Sequence, residues 1–329
     1  MENNSKEKNT IYFNDMEEKI DILIPVYNVK KYINNCLNSL INQTYKNINI
    51  IINENGSTDG SDAIVEEYAK KYDNIKLYHT PNEKNISKAR NFLLSKIESK
   101  YFTFFDSDDV AEPDYVEVLY NILKDNQADM SICVMTRESE DKPKNLKKRN
   151  KKHNKTLLFD TNGGIAEMLS YNLFAGTVAA KMIKTEKIEG LHFDESIHYG
   201  EDLDFSFKVM SNCEKIAYTQ KSLYHYKIRK NSIVTSKFNP KKLSVLDCFE
   251  KIMNKVDKNE ELLTCAKSMY CLVSAEMLYY IWRDKYKDKE LKHKLKKQIK
   301  ENISFVRKNK RLSKLYRKFL LIWRLTKLL

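Results

Sequence analysis

Asp106, Asp108 and Asp109 stand together in FTFFDSDDVAEPDYV (102–116), where an aromatic, apolar run ends in acid. Two carboxylates about 4 Å apart repel by about 4 kcal/mol at a near-surface dielectric, so the cluster needs a compensating partner. Mg²⁺ and Mn²⁺ prefer oxygen ligands, and Mg²⁺ is commonly held by one or two carboxylates plus substrate phosphates. The D-x-D of Asp106 and Asp108 suits such a clamp; a solvated turn ahead of the next helix is the structural alternative. A second acidic pair, Glu201 and Asp202 in YGEDLDF (199–205), precedes the apolar pattern Leu203, Phe205, Phe207, Val209 and Met210. That pattern predicts a helix N-terminus, whose dipole alone would justify the acids. It would also let one carboxylate act as general base toward a hydroxyl. NENGSTDGS (53–61) offers polar groups to a base or ribose, and equally reads as a turn with a helix cap. LYHYKIRKNSI (223–233) gathers His225, Lys227 and Arg229, cations able to neutralise a departing diphosphate or simply to line a strand edge.

Such groups need a scaffold. IDILIPVYN (20–28), INIIIN (48–53), IKLYH (75–79), YFTFF (101–105) and ADMSICVM (128–135) read as strands. Helical patterns follow them through Ile33 to Ile41, after NGSTDGS to about Tyr72, from Ser87, and beside Pro113. Strands alternating with helices predict parallel βαβ units, an α/β fold with a mostly parallel central sheet covered on both faces. Ligands bind such sheets beyond the carboxyl ends of the strands, which points to loops 25–30, 53–61, 80–87 and 106–113. Residues 137–155 are charged and poor in apolar groups, an expected exposed loop, and from 240 onward the pattern is helical.

The chain has seven glycines, the first of them Gly56. The turn after the first strand therefore lacks both G-x-G-x-x-G and a P-loop, which argues against hydride transfer or ATP hydrolysis by those routes. A sugar-phosphate nucleotidyltransferase, which holds its triphosphate on a glycine-rich loop, is disfavoured for the same reason.

Taken in order, IPVYN, KYINNCLNSLINQTY, NGSTDGS, NISKARN, FFDSDD and GEDLDF closely resemble glycosyltransferase family 2 over about residues 19–235. The resemblance implies a Rossmann-like A-type glycosyltransferase fold, with a nucleotide-binding half (19–135) and an acceptor half (157–235). A polar extension (1–18) would precede it and a helical basic region (236–329) follow. The implied activity is inverting transfer of a hexose or N-acetylhexosamine from a UDP-sugar to a hydroxyl of a glycan or lipid-linked acceptor, in bacterial surface polysaccharide synthesis. Mn²⁺ or Mg²⁺ is the implied cofactor. Position by position, Pro25, Tyr27 and Asn28 match the motif lining the nucleotide pocket. Glu54 and Asn55 stand where the family usually has two aspartates, the second contacting uracil. Arg90 matches the arginine of A-R-N near the donor. Asp106, Ser107 and Asp108 match the D-x-D, with Asp108 and then Asp106 as metal ligands, and Asp202 matches the catalytic base. Arg229 and Ser232 fall in a motif often found after that base.

Asn55 departs from the family's pattern. Its carbonyl can accept from uracil N3–H as a carboxylate would, and its NH₂ can reach O4, but an amide free to flip would tolerate cytosine. The departure also keeps open a non-catalytic nucleotide-sugar-binding protein on the same fold.

Composition bounds the rest. A hydrophobic content of 42% with 11% aromatics is that of a globular chain. The first 19 residues are polar with mixed charge, unlike a secretory signal, and no stretch is apolar enough to predict a transmembrane helix. The six cysteines form no CxxC pair, which predicts reduced, buried thiols in the cytoplasm. Of the net +13, residues 283–329 carry 18 Lys/Arg against 4 Asp/Glu, and the remainder 40 against 41. The end of that tail, RLSKLYRKFLLIWRLTKLL (311–329), spaces apolar residues by three and four with cations elsewhere on the wheel. It reads equally as a peripheral helix on the inner face of an anionic membrane or as one packing on this chain or a second copy in a homo-oligomer. No nucleic-acid-binding motif accompanies the charge.

Overall fold

A computed structural model describes residues 18–81, 85–139, 155–228, 236–313 and 316. The first part of the chain alternates as the sequence predicts: β1 (Ile20–Val26), α1 (Ile33–Ile41), β2 (Ile48–Glu54), α2 (Ser61–Lys71), β3 (Ile75–His79), α3 (Ile86–Leu94) and β4 (Tyr101–Phe104). Then come β5 (Val110–Ala111), α4 (Tyr115–Asp125), β6 (Met130–Ser139), β7 (Thr156–Asp160), α5 (Thr161–Leu169), β8 (Lys181–Lys184), α6 (Glu201–Ser211) and β9 (Lys215–Ile228). Three helices follow: α7 (Ser244–Lys255), α8 (Glu260–Arg283) and α9 (Lys289–Lys308).

Among the described residues one nine-stranded sheet runs in the order β3-β2-β1-β4-β8-β6-β9-β5, with β7 on β9. β1 pairs in parallel with β2 and β4, β2 with β3, and β6 with β9. β8 is antiparallel to both β4 and β6, and β5 and β7 are antiparallel to β9. Most strands thus share one direction, and β5, β7 and β8 oppose it. β1 and β2 are buried along their whole length, as strands covered on both faces must be. Ile22, Ile24, Ile50, Ile52 and Phe105 pack with α1 and α4 on one face. Leu23, Ile51, Phe102 and Phe104 share the opposite core with α5 to α9.

One sequence expectation changes. Arg137, Glu138 and Ser139 are not loop residues: they continue β6 and pair with Tyr226, Lys227 and Ile228 of β9. His225 and Lys227 lie in a 14-residue strand, in keeping with the strand-edge reading of that basic stretch. All six cysteines are free and buried, as expected. Among the described residues no helix is long and apolar enough to cross a membrane. At the start of the 311–329 segment, Arg311 pairs with Glu167 and Glu261 and Leu312 is buried, so this part packs on α5 and α8; apart from Tyr316, residues beyond 313 lie outside the described ones.

Candidate active site

The loops after β1, β2 and β4 meet at the carboxyl end of the parallel strands, where an α/β sheet binds ligands. Without a glycine after β1, the turn is made by Asn28 in the left-handed region, at φ 50°. Its backbone N–H donates to Ser57 Oγ (3.0 Å), and its Oδ1 accepts from Thr58 N–H (2.8 Å). Val29 N–H donates to Ser61 Oγ and Lys30 N–H to Asp59 Oδ2. NGSTDGS thus serves first as the brace of the β1 turn. Pro25 lies buried in β1, and Tyr27 is 42% exposed beyond its end.

Glu54 is buried and turned into its own loop, accepting from Ser57 N–H (2.6 Å) and Gly56 N–H (3.1 Å). Both of its carboxylate oxygens are engaged by that loop. Asn55 is 9% exposed, and its Nδ2 donates to Thr80 Oγ1 (3.2 Å).

The acids of the opening cluster separate into two groups. Asp109 is fully buried, accepting from Tyr224 O–H (2.7 Å) and Lys227 N–H (2.8 Å), and Tyr224 Oη in turn accepts from Asp106 N–H. Asp109 therefore fixes the turn and faces away from any ligand. Burial, then the charges of Asp106 and Asp108, hold its carboxyl well above the usual carboxylate range. Asp106 and Asp108 are half-buried, and Ser107 between them is buried.

Arg90 of α3 links this loop to the second acidic pair. It contacts Asp106 (3.5 Å), Glu201 (3.1 Å) and Asp202, and its guanidinium lies 5.5 Å from the Phe193 ring centre. Phe193 stacks on Phe205 at 4.0 Å, and its backbone is held at both ends by the Asn91 amide. Glu201 and Asp202 open α6 as predicted, at a helix N-terminus that favours acids. Gly200 before them sits at φ 98°, and a Cβ there would meet Val245 at 3.0–3.1 Å. Burial, then Asp202, raises Glu201 to about 7; Asp202 is more open, its side chain 25% exposed. Asp202 Oδ2 accepts from Thr177 O–H (3.3 Å). The loop carrying Thr177 is anchored by Lys181, a buried ammonium that donates to the carbonyls of Ala175 (3.1 Å) and Thr177.

The structure joins Asp106 and Asp202 through Arg90, with Ser107 and Asp108 on the same turn as Asp106. Pro25, Tyr27, Asn28, Glu54 and Asn55 lie at the carboxyl ends of β1 and β2 or just beyond them, and Arg229 and Ser232 lie outside the described residues. Asn91, Phe193, Thr177 and Lys181 were missed. The signal for Lys181 is a lone cation inside the apolar run VAAKMI (178–183).

A dication suits this donor set. One guanidinium, Arg90, faces three carboxylates, those of Asp106, Glu201 and Asp202. Burial and the neighbouring acids raise Asp106 to about 6 despite Arg90. Among the described residues no three His, Cys, Asp or Glu side chains converge as a complete cage. Asp106 and Asp108 alone match a metal that takes its other ligands from phosphate and water.

A model of glycosyl transferase family 2 matches residues 21–189. The chain is 36% identical over 224 residues to the glycosyltransferase GlyA of Streptococcus pneumoniae, covering 66% of this chain and 32% of that protein. It is 28% identical over 249 residues to the minor teichoic acid biosynthesis protein GgaB of Bacillus subtilis, covering 73% and 27%. It therefore spans about a third of the length of these relatives. The fold is similar to that of S. aureus TarS 1–349 solved with UDP-GlcNAc (TM-score 0.60, 21% identity, 80% of this chain and 73% of that one). A second structure of that fragment, with UDP, gives a TM-score of 0.58 at 20% identity, over 80% and 72% of the two chains.

Proposed function

This chain belongs to glycosyl transferase family 2, and from that premise we propose that it moves a hexosyl or N-acetylhexosaminyl group from a UDP-sugar to a hydroxyl of a glycan or lipid-linked acceptor, with inversion. The teichoic acid biosynthesis in the name of GgaB favours a bacterial surface polysaccharide as the product, and the two nucleotide complexes of TarS favour a uridine diphosphate donor.

One observation carries the reading: a single buried guanidinium, Arg90, touches both the D-x-D acid Asp106 and the helix-start acid Asp202. The acid suited to a donor diphosphate and the acid suited to an acceptor hydroxyl are thereby held at a fixed separation. Asp202 takes the acceptor proton as the acceptor oxygen bonds to the anomeric carbon, and the bond from that carbon to the diphosphate breaks with its electron pair leaving on UDP. Arg90 and Thr177 orient the base, leaving it partly open to the cleft. Asp106 and Asp108 would hold Mn²⁺ or Mg²⁺, which when bound neutralises charge on the leaving diphosphate.

Asp202→Asn should lower UDP-sugar turnover by about 100-fold or more, the usual scale of a lost general base. UDP affinity should change less than about threefold, which is under 1 kcal/mol. Glu201→Gln, assayed in parallel, should keep more turnover than Asp202→Asn. The reverse order would transfer the role to Glu201 and contradict the assignment.

A further inference from the structure

We infer that Asn53 and Thr80 act as a relay that locks the Asn55 amide as a hydrogen-bond acceptor, so that the site takes uridine diphosphates and rejects cytidine diphosphates. The inference rests on the uridine diphosphate donor proposed above and on the contact between uracil and Asn55 that the family resemblance implies.

The relay is fixed by an end that cannot be reversed. Asn53 is fully buried on β2, and its Nδ2 donates to the backbone carbonyl of Ala89 (3.4 Å). A carbonyl only accepts, so a flipped Asn53 would set two oxygens face to face. Asn53 Oδ1 must therefore point the other way, where it accepts the Thr80 hydroxyl proton (2.9 Å). A threonine hydroxyl has one proton to give. With that proton committed, Thr80 Oγ1 can only accept from its next neighbour, the Nδ2 of Asn55 at 3.2 Å. Thr80 is itself held by its backbone N–H on the Glu54 carbonyl (2.9 Å). No donor among the described residues is recorded on Asn55 Oδ1, which is left as the acceptor end.

The chemical consequence separates the two pyrimidines. Uracil carries a proton on N3 and gives it to an acceptor; cytosine N3 is itself an acceptor. An amide free to rotate by a half-turn would serve both, and a locked one serves uracil alone. The relay thus reproduces with a neutral side chain the one-way acceptance of a carboxylate.

The test compares UDP and CDP binding, each with Mn²⁺, by titration calorimetry on the full chain and three variants. The wild type should prefer UDP by about tenfold or more, the scale of one opposed buried polar pair. Thr80→Val removes both the proton and the acceptor at nearly constant volume, and should shrink that preference to about threefold or less. Thr80→Ser keeps the hydroxyl and should restore it. Melting curves confirm that each variant is folded, so an altered ratio is read only from native protein. A Thr80→Val protein with the full wild-type preference overturns the relay, as does a wild type that binds the two equally. Asn55→Ala separates this failure from that of the site itself: if it leaves both affinities and their ratio unchanged, the base does not meet Asn55 and the nucleotide reading fails first.

Discussion

Lys181 shows how one residue's burial becomes measurable. The residue is 1% exposed, and its ammonium donates to two carbonyls of the Thr177 loop, with no carboxylate contact recorded among the described residues. Burial pulls its pKa from 10.5 down to about 8, with the more distant charge of Asp202 opposing the shift. Between about pH 8 and the ordinary lysine value the unfolded chain holds a proton that the folded chain has released, so this lysine's contribution to stability improves as pH rises. Below that window the charged form bears its full burial cost. Lys181→Met removes the linkage. The stability of the wild type relative to the variant should therefore grow across the window by up to about 1.4 kcal/mol per pH unit, read from urea unfolding. A difference flat with pH would contradict the buried ammonium. The A-R-N motif divides in a comparable way among neighbouring residues. Ala89 gives its carbonyl to Asn53, Arg90 joins the acids, and Asn91 clamps the backbone of Phe193. Only Arg90 was recognised in advance, because a charged side chain advertises its chemistry and a backbone carbonyl does not.

Among the elements, α6 depends on how it begins. Gly200 lies in the left-handed region and touches Val245 of α7, so Gly200→Ala combines backbone strain of about 1–2 kcal/mol with a close contact to backbone. The first turn displaced by that strain carries Glu201 and Asp202. The variant should lose turnover more than UDP affinity, because the β1 and β2 loops are braced separately. Equal losses in a kinetic and a calorimetric assay would contradict that independence. The βαβ half was legible because β1 and β2 are rich in isoleucine, leucine and valine and end in polar turns. The second half was not. β5 is two residues long, β8 is four, and β9 carries Lys, Gln, Ser and His in a strand whose pairing with β6 slips register twice. Periodicity fades where a strand has irregular neighbours. The acidic cluster was legible as chemistry, but its division was not: Asp109 is claimed by Tyr224 and Lys227, more than a hundred residues away in sequence.

At the scale of the whole molecule, the C-terminal helices complete one face of the sheet. Leu23 and Phe104 of the parallel strands belong to the same core as Leu278 of α8, Ile299 of α9 and Leu312. The positive charge is carried on the outside of this layer, where Lys289, Lys296, Lys297 and Lys300 of α9 are exposed. The acids gather at the opposite kind of surface, the carboxyl ends of β1, β2 and β4, and this separation leaves Arg90 as the buried cation that bridges them. In the proposed function, Asp106 and Asp108 offer a dication to the diphosphate of a uridine donor. The most direct test of this is the affinity for UDP with Mn²⁺ against that with EDTA, for the wild type and Asp108→Ala. Mn²⁺ should tighten UDP binding to the wild type by about tenfold or more, about 1.4 kcal/mol, and do little for the variant. Equal wild-type affinity in Mn²⁺ and in EDTA would mean that no dication links these acids to the diphosphate.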